Sequence, residues 1–70
     1  MSNHHKLKSS SIEHIDYIDD ADTLVIKFTS GATYHYPGCD KTHYDELKRA
    51  ASAGSYFQQH IRNLKSHKVS

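Results

Sequence analysis

The sequence predicts an α+β domain: a three-stranded antiparallel β-meander followed by two helices packed on one face, in the order β-β-β-α-α. Three observations carry this expectation. Between residues 11 and 36 the apolar side chains largely alternate, the period that gives a strand one buried face. Turn-forming clusters, Asp19-Asp20-Ala21-Asp22 and Ser30-Gly31, cut that stretch into three. Beyond Pro37-Gly38 the apolar residues recur every three to four positions, the spacing of a helix.

Residues 1–8 have no usable periodicity and are expected to be a flexible tail, as are residues 66–70, which leaves 9–65 as one domain. In the first strand, Ile12 and Ile15 are out of phase. A bulge near Glu13–His14 would bring Ile12, Ile15 and Tyr17 to one face. The next strand places Leu24, Ile26 and Phe28 inward and Val25 and Lys27 outward, and its apolar density marks it as central. Ser30–Gly31 reads as a tight hairpin turn, because glycine supplies positive φ at no steric cost. The third strand turns Ala32, Tyr34 and Tyr36 one way and Thr33 and His35 the other, until Pro37–Gly38 stops it.

Asp40 or Thr42 can cap the first helix, whose apolar stripe is Tyr44, Leu47 and Ala51. Gly54 reads as the left-handed residue that ends it. Ser55-x-x-Gln58 then reads as a capping box for a second helix with Phe57, Ile61 and Leu64 on its stripe. A phosphate-cradling loop would need several spaced glycines after a strand, so Gly54 reads as a helix–helix joint.

Seventy residues make one domain with a small core. The single Cys39 excludes an internal disulfide and points to a reducing setting. With no signal-peptide pattern and no run long enough to span a membrane, a cytoplasmic monomer is expected. Charge is uneven: residues 9–40 carry net −5 and residues 41–70 net +4, against +1 for the chain. Such a dipole suits an oriented protein partner at least as well as a nucleic acid.

Catalytic and metal chemistry find little footing. The seven histidines are scattered, without the paired spacing of a structural zinc site. Ser2-Asn3-His4 would wrap Cu(II) or Ni(II) adventitiously in vitro once Met1 is removed. Cys39 and His43 lack an orienting third group, so neither an enzyme nor a cofactor is expected. If buried neutral, His14, His35 or His60 would make the fold fail near pH 6. Tyr34, Tyr36 and Phe57 could stack on bases, but their phase places them in the core. Two surfaces remain: a basic C-terminal end with Arg62, Lys65, His67 and Lys68, which Lys48 and Arg49 could join, and the outer sheet face with Val25, Lys27, Thr33 and His35. The candidate contact residues are Lys27, His35, Lys48, Arg49, Arg62 and Lys65. Open strand edges are a further route to a partner.

The order of motifs over Ser9–Leu64 resembles the KTSC domain, a module named for its occurrence at the C-terminus of some lysyl-tRNA synthetases. Ser10-Ser11-Ile12, Tyr17, Leu24-x-Ile26-x-Phe28 and Gly31-x-x-Tyr34-x-Tyr36 carry the first half of that likeness. Tyr44, Leu47, Ala51-Ser52-x-Gly54-x-Tyr56-Phe57 and Ile61-Arg62 carry the second. Where the family has Y-x-Y-x-x-V-P, this chain has Pro37-Gly38-Cys39-Asp40, so that connection is expected to differ. The resemblance implies a β-β-β-α-α fold and no catalytic residues. The chain also looks like small bacteriophage transcription regulators, which implies host RNA polymerase subunits as partners and an effect on initiation or termination. An RNA- or tRNA-binding accessory is the alternative.

Overall fold

A computed structural model gives the structure of the chain and describes residues 2–6 and 10–69. Its sheet is antiparallel throughout, in the order β1 (Ser2–Lys6), β2 (Ile12–Ile18), β3 (Thr23–Phe28), β4 (Thr33–Pro37) and β5 (His67–Lys68). Helix α1 (Lys41–Arg49) and the short α2 (Ala53–Tyr56), which runs into a π-helical segment (Phe57–Ile61), follow β4. The expected meander is β2-β3-β4, with β3 central.

The bulge forms where the apolar phase breaks. Ile12 pairs with Phe28 and His14 with Lys27, so Glu13 is the extra residue. Ile12 and Ile15 become fully buried and Tyr17 is 3% exposed. They join Leu24, Ile26 and Tyr36 beneath Tyr44 and Leu47 of α1, Ala53 of α2, and Ile61. Phe57 closes one end by meeting Phe28 edge-on at 5.2 Å.

Two segments that read as tails carry the outer strands. Ser2–Lys6 pairs with β2 from Ser2↔Ile18 to Lys6↔His14. At the opposite edge His67 pairs with His35 and Lys68 with Tyr34, while the Val69 N–H donates to the Thr33 carbonyl at 2.8 Å. Neither segment has an apolar rhythm of its own. The unpaired N–H and C=O groups at the rims of a three-stranded meander supply the pairing instead.

The joints also differ from expectation. The hairpin loop is Thr29–Gly31, three residues and not two: the Gly31 N–H donates to Phe28 O at 2.9 Å, with Gly31 at φ 100°. Asp40 caps α1, accepting from the Thr42 N–H at 3.2 Å. Helix α1 stops because Ala50 turns extended, at φ −66° and ψ 138°. Ala51 is therefore exposed, and Ala53 takes its place in the core. Gly54 is not a left-handed terminator; it lies inside α2, whose cap is Ser52, accepting from the Ser55 N–H at 3.3 Å. Ser55 is thus the donor of the cap. In the π-helical segment the Arg62 N–H donates to Phe57 O, five residues back. That wider turn rotates Leu64 off the stripe, leaving it 39% exposed while Ile61 is fully buried.

Three substitutions check these assignments by chemical denaturation. Leu47→Ala should cost about 3 kcal/mol through the cavity it leaves. Ser52→Ala should cost about 1 kcal/mol, as lost N-caps do, and Gln58→Ala less than about 0.5 kcal/mol. The reverse order for the last pair would restore the Ser55–Gln58 box.

Candidate functional site

Helix α1 organises charge along its length. At its N-terminal end Asp40 caps it, and Lys41, its first residue, reaches Asp19 Oδ1 at 3.8 Å, which brings the acidic 3₁₀ turn Asp19–Ala21 alongside. At its C-terminal end Lys48 and Arg49 occupy the last turn. This polarity opposes the helix macrodipole at both ends, so part of it is structural. A nine-residue helix rises about 13 Å, which sets the distance between the two poles.

The six expected contact residues fall on opposite sides of the sheet. On the helical side, Lys48 Nζ lies 4.8 Å above the Tyr44 ring and 3.8 Å from Asp45. Arg49, with its side chain 70% exposed, reaches Glu46 at 3.2 Å. Arg62 donates to Gln58 Oε1 at 3.2 Å, and Lys65 is exposed. The carboxylate and amide partners, Asp45, Glu46 and Gln58, are local and solvent-accessible, so these cations are lightly held and can be drawn to a partner. On the outer sheet face, half-exposed Lys27 lies 3.7 Å from Glu13. His35 faces the ring of His67 at 5.7 Å between centroids. Helix and sheet sets cannot form one patch, because the meander lies between them.

The outer face is also more covered than alternation implied. Val25 is buried at 8%, and Lys27, Thr33 and His35 are half-buried. The expected stacking residues are inward, with Tyr36 buried and Tyr34 and Phe57 half-buried against the core. None of the three histidines invoked for an acid transition is buried: His14 and His35 are half-buried and His60 is exposed. The full burial on which the expected acid transition rested is therefore not found at these three residues.

Cys39, at the β4–α1 junction, is 6% exposed. Burial, and then the neighbouring Asp40 carboxylate, push its thiol up to about 11. The thiol stays protonated at neutral pH and is a poor nucleophile. Burial likewise raises Tyr17, with the Asp22 carboxylate adding to it; the Tyr17 hydroxyl lies 3.2 Å from both Asp22 Oδ1 and the Cys39 carbonyl. His43 is not directed at the thiol by any hydrogen bond among the described residues; its Nδ1 pairs with the Tyr56 hydroxyl at 3.1 Å. Tyr56 in turn lies against the His60 ring at 4.5 Å. The i, i+4 spacing of Tyr56 and His60 is legible in sequence, whereas their link to His43 is not.

Among the described residues no helix is long and apolar enough to cross a membrane. The sequence model of the KTSC domain family matches residues 8–64. The chain is similar in structure to a KTSC domain protein from Yersinia pestis, with 28% identity, a TM-score of 0.88 and complete coverage of both chains. No curated protein matches it.

The unfolded Cys39 thiol titrates near 9.0 and the folded one at about 11, so the native state holds the proton more tightly. That stabilisation is complete below pH 9 and is lost as pH rises through about 11. The urea midpoint should fall across this window, and Cys39→Ala should flatten part of the slope; equal slopes would contradict burial of the thiol.

Proposed function

We propose that this chain, which belongs to the KTSC domain family, is a small non-enzymatic binding protein whose basic pole docks on an acidic protein surface. The partner is a subunit of bacterial RNA polymerase, and the chain acts as a phage-encoded regulator of transcription initiation or termination in the bacterial cytoplasm. The observation that carries the docking reading is the polarity along α1, acidic at Asp19 and Asp40 and basic at Lys48 and Arg49, with Arg62 and Lys65 as further exposed cations. Complementary charge orients an encounter and raises its rate, and lightly held surface pairs can be exchanged for a partner's carboxylates. The polymerase as partner rests on the chain's likeness to small phage regulators in size, tails and general character.

The non-enzymatic reading is supported by the groups that could do chemistry. Cys39 is held protonated at neutral pH, and His43 is occupied by Tyr56. An RNA-binding accessory would use the same cations, but the aromatic rings it would stack on bases are turned into the core, Tyr36 to 3% exposure.

Tagged protein drawn through a bacterial lysate, with and without nuclease, tests the proposal. Polymerase subunits should be retained after nuclease and lost with the Arg62→Glu/Lys65→Glu variant. Retention of no subunit at low salt overturns the polymerase reading. Recovery of RNA alone, removed by nuclease and falling steeply with salt, transfers the assignment to the accessory reading.

A further inference from the structure

We propose that His35 and His67 form a two-imidazole site for a divalent transition metal of the zinc type, and that the ion fastens strand β5 to the sheet. The two residues are directly opposed across the antiparallel β4–β5 pair, so their side chains leave the sheet on the same face as nearest cross-strand neighbours. Their ring centroids are 5.7 Å apart and the planes are tilted by 48°. Two imidazoles bound through nitrogen to one tetrahedral zinc, at about 2.0–2.1 Å each, have centroids about 5 Å apart. A small rotation about either Cα–Cβ bond closes that gap. His67 is exposed and His35 half-buried, so an ion reaches the pair from solvent.

His14, His43 and His60 are placed differently. His14 lies 3.9 Å from Glu13, His43 bonds Tyr56 and His60 lies against the Tyr56 ring. Among the described residues no three His, Cys, Asp or Glu side chains converge, so this is not a closed structural site. The protein would supply two ligands, leaving the remaining positions to water.

The ion has something to hold. Strand β5 is two residues long, too short to be stable by its own ladder. Besides the ladder, the Val69 N–H donates to Thr33 O at 2.8 Å. A metal bridge between His35 and His67 would lock the strand over the β4 edge.

Zinc ion alone is the probe, since Cu(II) and Ni(II) would also be taken by an amino-terminal Ser2-Asn3-His4. Full-length protein is titrated with Zn²⁺ against a chromophoric chelator, and amide exchange at Val69 is followed by NMR. One equivalent should bind and slow Val69 exchange at least tenfold; His67→Gln and His35→Gln should each weaken that equivalent at least tenfold, while His60→Gln leaves it intact. Because the His67 side chain is exposed, its variant folds even where His35→Gln does not. Superimposable titrations of wild type and His67→Gln, or unchanged Val69 exchange in saturating zinc, overturn the site.

Discussion

The bulge at Glu13 is the constraint on which the rest of this structure depends. Side chains alternate along a strand with period two, so a one-residue slip moves every side chain to the other face. Without the extra residue between Ile12 and His14, Ile12 would point to the opposite face from Ile15 and Tyr17. With it, all three lie under α1, against Tyr44 and Leu47. A core of this size has few side chains to spare, so the phase correction decides whether the helices have a surface to pack on.

From that face the helical layer follows, and its joint is set by packing more than by local propensity. An extended Ala50 ends α1 early, Ser52 begins α2, and the turn between them swings Ala53 inward. The π-helical segment then keeps Phe57 and Ile61 on the sheet. Tyr17 ties the layers at the other end, its hydroxyl placed between Asp22 of the β2–β3 turn and the carbonyl of Cys39. These contacts hold the β4–α1 junction, bury the thiol and leave it protonated.

The same architecture sorts the surface. Asp40 caps the start of α1, with Asp19 beside it, and Lys48 and Arg49 occupy its last turn, placements that the helix dipole favours. Lys27 and His35 are separated from the basic pole by the thickness of the sheet. A partner that reads the cations of the helical side therefore does not touch the outer sheet face. That face is left to the edge strands, whose role is to cover backbone that a three-stranded meander would expose.

How much was legible in the sequence follows from the range of the forces involved. Alternation in Leu24-x-Ile26-x-Phe28, the phase break at Ile12–Ile15, the Asp40 cap and the stripe of Tyr44 and Leu47 are local, each settled within a few residues. By itself the sequence determined the meander, its bulge, the first helix, the two-helix order and the basic character of Lys48, Arg49, Arg62 and Lys65. Only the tertiary structure decided the rest. Strands β1 and β5 form because a distant strand offers unpaired backbone groups, which leave no apolar rhythm in Ser2–Lys6 or His67–Lys68 to read. The shift of the cap from Ser55 to Ser52 depends on where Ala53 meets the sheet, and the facing of His35 and His67 on a pairing across 32 residues of chain. The division of the expected contact residues between two faces likewise needed the layers to be assembled, because sequence spacing carries no record of what lies between two surfaces.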